Sequence, residues 1–281
     1  MELTLWQSVV LGVVQGLTEF LPVSSSGHLV VFQEFLGVHV PGVGFEIVVH
    51  LGTLAAVLAV YRRDVAAAVA GGARALAAML HGRGAEAWRE DHGARLAVLV
   101  IAGTVPAAVA GFAAKDAIES LFESSLTVAV CWLLTGILLW WVSRPEGRGT
   151  PLERASLADA VTVGLFQAVA LLPGISRSGS TIAGARLRGL APDDAARFSF
   201  LLSLPAIIGA AVLVIPDVLA EGVSGAQWAT FLAGGVAAAI TGYAAIRWLL
   251  RWLATGRLHW FAYYLWAAAA VVLFLHRFTA G

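Results

Sequence analysis

The chain has 281 residues, of which 59% are hydrophobic and 13% charged, with a mean hydropathy of +0.82 and a formal net charge of zero. Soluble domains carry about 25% charged residues, so this composition excludes a soluble globular domain, and the balanced charge gives no sign of nucleic-acid binding. Long apolar runs also exclude a transmembrane barrel and leave an all-α polytopic membrane protein, folded as one integral membrane domain.

The N-terminus is apolar but has no basic region ahead of it, so it reads as mature protein and not as a cleaved signal. Apolar segments follow at about 3–21, 24–37, 45–61, 95–114, 124–142, 161–173, 180–190, 197–215, 228–250 and 259–276. A full crossing takes about 20 residues. The regions 3–37 and 161–190 are interrupted by LPVSSSG (Leu21–Gly27) and LPGISRSG (Leu172–Gly179). Such breaks are tolerated at membrane depth only where the backbone is buried in protein or lines a wet cavity. Each region is therefore expected to form a re-entrant helix pair, which leaves about six full spans. The single cysteine, Cys131, lies in an apolar run, so no disulfide or cysteine-based metal site is available.

The two broken regions repeat one another. At an offset of 152, Gly12 meets Gly164, Gln15 meets Gln167, Ser26 meets Ser178 and Gly27 meets Gly179. FEIVVHLG from Phe45 aligns with FSFLLSLP from Phe198, and AGTVPAAVAGFAA from Ala102 with AGGVAAAITGYAA from Ala233. The halves run about 1–142 and 155–277. Arginines crowd 62–95 (Arg62, Arg63, Arg74, Arg83, Arg89, Arg95), 143–158 (Arg144, Arg148, Arg154) and the stretch with Arg251 and Arg257. The alternate loops carry Lys115, Asp116, Glu119 and Glu123, then Asp217 and Glu221. The positive-inside rule puts the Arg-rich loops in the cytoplasm, so the first broken pair enters from outside and the second from the cytoplasm. This is an inverted-topology repeat, a familiar way to bring broken helices together near the midplane.

Polar groups concentrate at the breaks. Gln15 and Glu19, four residues apart, share a helix face. Ser24, Ser25, Ser26 and Gly27 open the next helix, where free amides and the dipole favour an anion, phosphate above all. His28 follows, able to hold or release a proton near neutral pH. The second copy repeats the device through Ser176, Ser178 and Thr181 and adds Arg177, whose fork suits phosphate. Together these residues describe an oxyanion cradle in which Glu19, His28 and a serine offer acid–base and nucleophilic chemistry. Glu19 alone would also serve as a salt-bridge partner of Arg177. Glu46 reads as either a snorkelling end residue or a wall of the site, with Ser199 as its repeat mate and His50 one turn further on.

These motifs resemble those of the undecaprenyl-diphosphate phosphatases of the bacitracin-resistance family. The resemblance rests on Gln15 and Glu19 as (E/Q)xxxE, on LPVSSSGH with His28, and on PGxSRSxxT at Pro173 to Thr181, with FEIVVHLG and the span order in support. It implies hydrolysis of undecaprenyl diphosphate to the monophosphate and inorganic phosphate. That reaction recycles the lipid carrier of cell-wall synthesis, and its overproduction lowers sensitivity to bacitracin. It also implies a divalent cation, Mg²⁺ or Ca²⁺, and an essential group of Glu19, Ser25, His28 and Arg177; Glu19 and Glu46 are the carboxylates this sequence leaves to hold the cation. Ser24, Ser176 and Thr181 are their neighbours, and Ser26, Gly27 and Ser178 complete the phosphate cradle. Gln15 stands where many members have Glu, and a neutral amide there supplies neither metal-ligand charge nor a base.

The expected protein is thus a phosphoanhydride hydrolase of the bacterial inner membrane, its site facing the periplasm, with Ser25 as nucleophile and His28 as base or acid. Attack by His28 itself, or by water held at Glu19, stays open. Its partners are the polyprenyl diphosphate and membrane lipid, and a homodimer is compatible with this reading. The competing expectation is a flippase that moves the lipid carrier without chemistry, which inverted repeats also suit.

Overall fold

A computed structural model describes residues 3–38, 44–114, 117–118, 125–143, 149–220 and 222–279. Lys115, Asp116, Glu119, Glu123, Arg144, Arg148 and Glu221, used above to orient the chain, lie outside the described residues.

Twelve α-helices are described, with no strand among the described residues. The first half holds α1 (Leu5–Phe20), α2 (Ser25–Phe35), α3 (Gly44–Val60), α4 (Arg62–Leu80), α5 (Gly84–Glu90), α6 (His92–Ala113) and α7 (Ser125–Val142). After a short 3₁₀ turn at Leu152–Arg154 come α8 (Leu157–Val169), α9 (Arg177–Leu187), α10 (Pro192–Ala220), α11 (Gly225–Leu253) and α12 (His259–Thr279). Five helices, α6, α7, α10, α11 and α12, are long and apolar enough to cross a membrane. The count reaches six if α3 and α4, bent by 88° at Tyr61, form one broken span. The chain is an all-α, multi-pass membrane protein.

Both expected breaks are real. At Leu21–Ser24 α1 stops and α2 begins, and at Ala170–Ser176 α8 stops and α9 begins. A proline without an amide donor follows each first helix, Pro22 after α1 and Pro173 after α8, and the second break adds Gly174 at φ +89°. A serine then caps each second helix. Ser24 Oγ accepts the Gly27 amide at 3.4 Å, and Ser176 Oγ accepts the Gly179 amide at 3.0 Å.

Packing repeats along with sequence. Helix α1 lies along α11, and its mate α8 lies along α6. A Cβ on Gly12 would drive into the carbonyl of Gly234, and one on Gly164 would drive into the carbonyl of Gly103. Gly12 and Gly164 are mates in the sequence alignment, as are Gly234 and Gly103. The same close backbone approach is therefore made twice, by small residues whose lack of bulk lets membrane helices touch. The edge-on contact of Phe20 with Phe200, centroids 5.3 Å apart, fastens the end of α1 to α10. That contact leaves Glu19, the preceding residue, fixed in position at the centre of the fold.

Candidate active site

Glu19 comes from the last turn of α1 and is 6% exposed. A carboxylate at that depth needs donors, and it has them on both oxygens. Arg177 Nη2 donates to Oε1 at 2.8 Å. Ser25 Oγ donates to Oε2, and Gln15 Nε2 donates to the same oxygen at 3.0 Å. His50 Nε2 stands 3.8 Å from Oε2. Helical spacing explains the Gln15 contact, because residues four apart stack on one face. The other two donors sit at the first residues of α2 and α9, so the two helix starts converge on one carboxylate.

Arg177 has a second anchor, donating from Nη1 to the Ser199 carbonyl at 3.4 Å. Ser199 Oγ in turn pairs with Thr181 Oγ1 at 2.6 Å, and Thr181 Oγ1 donates to the Arg177 carbonyl at 2.8 Å. Ser26 pairs with Ser24 across 3.3 Å, and Ser178 pairs with Ser176 across 3.3 Å. Ser178 Oγ also donates to the Leu21 carbonyl at 2.9 Å and so ties the second loop to the first.

His28 is buried and lies apart from this carboxylate cluster. Its Nδ1 is 2.7 Å from the Ser24 carbonyl and its Nε2 is 2.6 Å from the Tyr264 hydroxyl. The structure thus gathers Gln15, Glu19, Ser25 and Arg177 into one bonded group. His28 belongs to a neighbouring group with Ser24, Tyr264 and Trp132, whose ring centroid is 4.7 Å away. The sequence reading had no sight of Tyr264 or Trp132 in this role. Tyr264 sits in an aromatic run, WFAYYLW, that is indistinguishable by pattern from an interfacial belt. The contacts of Gly27 offer one clue, since a Cβ there would strike the Trp132 indole.

Among the described residues, no three His, Cys, Asp or Glu side chains converge as a ligand set for a metal ion. Glu19, the one carboxylate in the cluster, faces Arg177 and accepts three donors. Glu46 gives its main-chain carbonyl to His50 Nδ1 at 2.7 Å. Gln15 Oε1 is a buried oxygen without a partner, but a lone amide oxygen falls well short of the six or more oxygens that Mg²⁺ or Ca²⁺ takes. These residues do not form a shell for a resident cation, and no step below passes through one.

An Arg, two helix starts and a serine hydrogen-bonded to a buried carboxylate form an arrangement able to bind a phosphate and attack it. Comparison with known proteins agrees in extent. The family model described as Bacitracin resistance protein BacA matches residues 8–271. Three relatives named undecaprenyl-diphosphatase are similar over nearly their full length. The protein of Rubrobacter xylanophilus is 45% identical over 273 residues, covering 96% of this chain and 97% of its own. That of Desulfatibacillum aliphaticivorans is 44% identical over 271 residues, covering 95% and 98%. That of Carboxydothermus hydrogenoformans is 42% identical over 272 residues, covering 96% and 97%. With the family model spanning nearly all of it, the chain belongs to the BacA family of bacitracin resistance proteins.

Proposed function

We propose that this protein hydrolyses undecaprenyl diphosphate to undecaprenyl phosphate and inorganic phosphate, returning the lipid carrier to cell-wall synthesis. Faster return leaves less of the diphosphate lipid for bacitracin to sequester. The observation that carries the reading is the shared carboxylate: Ser25 and Arg177 bond opposite oxygens of Glu19 at two helix starts.

The geometry supports the following course. The diphosphate enters as an anion and draws Arg177 from Glu19 onto its terminal phosphate. A carboxylate neutralised by a guanidinium takes up a proton poorly, so losing that partner makes Glu19 a better base. Ser25 Oγ then attacks the terminal phosphorus while its proton passes to Glu19 Oε2. The P–O bond to the bridging oxygen breaks, and undecaprenyl phosphate leaves as an anion. Glu19 passes that proton to the departing undecaprenyl phosphate. Water then gives a proton to Glu19 as it attacks the phosphoserine, the P–Oγ bond breaks, Ser25 Oγ takes the proton back from Glu19, and inorganic phosphate leaves. Arg177 and the first-turn amides of α2 and α9 stabilise the charge on the transferring group.

Ser24, Ser26, Gly27, Ser176, Ser178 and Thr181 shape the cradle, and the hydroxyl pairs among them hold its two loops. Mg²⁺ or Ca²⁺ enters this reading as an ion carried on the diphosphate. The bacterial inner membrane, with the site opening to the periplasm, is supported by the crowding of arginines at 62–95, which the positive-inside rule assigns to the cytoplasmic side.

The test is phosphate release from undecaprenyl diphosphate by the purified protein in liposomes. Wild type releases phosphate, while Ser25→Ala and Arg177→Ala lose it by at least about 10²-fold, the scale of a removed nucleophile or transition-state donor. The doubled packing of α1 on α11 and α8 on α6 keeps a flippase as the second reading. Lipid transfer between leaflets without phosphate release would replace the hydrolase reading with that one.

A further inference from the structure

The two loops are built alike in their caps and hydroxyl pairs, yet the two capping serines differ in φ. Ser24 has φ +69° and is the sole non-glycine residue with positive φ among the described residues. Its mate Ser176, making the same cap, has φ −69°. The left-handed half of the map is costly for a residue with a Cβ, and such strain persists only where surroundings enforce it. The cap itself does not require the strain, since Ser176 forms it without any. The loops differ at Pro22 against Gly174 and Ser25 against Arg177, and again four places beyond the cap, at His28 against Ser180. The Ser24 carbonyl accepts the His28 amide and also faces His28 Nδ1, 2.7 Å away, while the Ser180 hydroxyl has no partner.

A carbonyl oxygen only accepts, so the nitrogen facing it carries the hydrogen. In the neutral ring the lone pair is then on Nε2, and the group facing Nε2 is the Tyr264 hydroxyl at 2.6 Å. Tyr264 therefore donates. Its ring also lies parallel to the imidazole, with centroids 5.7 Å apart and planes 9° apart, and Trp132 closes the side of the ring toward α7 at 4.7 Å. Every freedom of the imidazole is thus taken up: its tilt by two aromatic rings, its rotation by two hydrogen bonds. Such a second partner is how proteins set which imidazole nitrogen is basic.

We infer that Tyr264, from the last helix of the second half, is a positioning residue that holds His28 with its proton on Nδ1 and its lone pair on Nε2, the Ser24 carbonyl being the other partner. The consequence for the reaction rests on the hydrolase reading. His28 has its basic nitrogen occupied by Tyr264, and Ser25 gives its proton to Glu19, to which it is hydrogen-bonded. His28 acts on the substrate only as a ring locked in one tautomer.

The experiment uses the full-length protein in lipid bilayers, with ¹⁵N-labelled histidine and solid-state NMR at neutral pH. His28, assigned by the signal lost in His28→Gln, is expected to carry hydrogen on Nδ1 and a hydrogen-bonded lone pair on Nε2. Tyr264→Phe keeps the stacked ring and removes the donor. It should move the Nε2 signal to that of a free lone pair and lower kcat about tenfold, the loss of one good hydrogen bond, with KM within about twofold. A wild-type ring protonated at Nε2 and bare at Nδ1 overturns the inference without any variant. An unchanged Nε2 signal or wild-type kcat in Tyr264→Phe overturns it as well. Failure of wild type to release phosphate sinks the hydrolase reading but leaves the NMR result standing, so the two failures are distinct.

Discussion

Ser25 and Arg177 stand at equivalent places in the two loops, 152 residues apart, and bond opposite oxygens of Glu19. One half of the chain supplies the carboxylate and its hydroxyl partner, and the other supplies the cation. The pair holds the halves together as well as forming the site. Removing one partner of a buried ion pair leaves an uncompensated charge and costs about 3–5 kcal/mol. Arg177→Ala should therefore lower stability to denaturant by that order. Glu19→Gln in the same chain should restore most of it, because the orphaned charge is gone. Unfolding followed by tryptophan fluorescence in micelles measures both, and equal losses in the single and double variants would deny the coupling.

Gly12 and Gly164 make a matched pair of predictions. In each case an added methyl meets a main-chain carbonyl, which cannot move aside as a flexible side chain can. Overpacking of a fitted interface costs about 1–3 kcal/mol, and these two should lie at or above the upper end. Gly12→Ala parts α1 from α11, and Gly164→Ala parts α8 from α6. Both should lower the thermal midpoint by similar amounts. Gly209→Ala, where a Cβ has open space around it, should not lower it.

The polar breaks and the repeat were legible because apolar sequence makes polar clusters stand out. The gathering of Glu19, Ser25 and Arg177 followed from the repeat, since aligned loops occupy related places. Two things lay beyond pattern. The 88° turn between α3 and α4 was hidden because the apolar run simply ends at Tyr61, with Arg62 and Arg63 reading as an ordinary cytoplasmic edge. Tyr264 was hidden because its partner is 236 residues away and aromatic residues are common near membrane surfaces. His28 is expected from the sequence as base or acid for Ser25, and in the fold its Nε2 meets Tyr264 of α12.

At the other end of the molecule, Asp91 governs the entry to α6. It caps the helix through the Gly93 and Ala94 amides at 2.9 and 3.0 Å and pairs with Arg74 at 2.6 Å. The hydrogen bond from Arg74 is the main cause that holds its carboxyl down to about 2 from an ordinary 3.8, with the Ala94 amide next and the Gly93 amide and the Arg74 charge adding. Because the folded value is depressed, the carboxylate stabilises the fold fully above the unfolded value. That contribution is lost as pH falls from about 4 through about 2. Amide exchange at Gly93 and Ala94 should accelerate relative to the rest of α6 across that window. Asp91→Ala, which has no oxygen to accept the two amides, should remove their protection and with it the dependence.

Gln15 stands where the family resemblance leads one to expect Glu, and the geometry says what an amide does there. The amide donates to Glu19 Oε2 at 3.0 Å, while its own oxygen is buried without a partner. A carboxylate in its place would set two negative oxygens at hydrogen-bond distance, which stays stable only with a shared proton or a cation between them. The amide removes that need, so this chain should depend less on Mg²⁺ or Ca²⁺ than its own Gln15→Glu variant. Calorimetric titration of the two cations should show little binding to wild type without substrate and measurable binding to Gln15→Glu. Phosphate release by the variant should fall more steeply on adding a chelator than release by wild type. Identical cation binding and chelator sensitivity in both proteins would mean that the residue at 15 does not set the charge balance around Glu19.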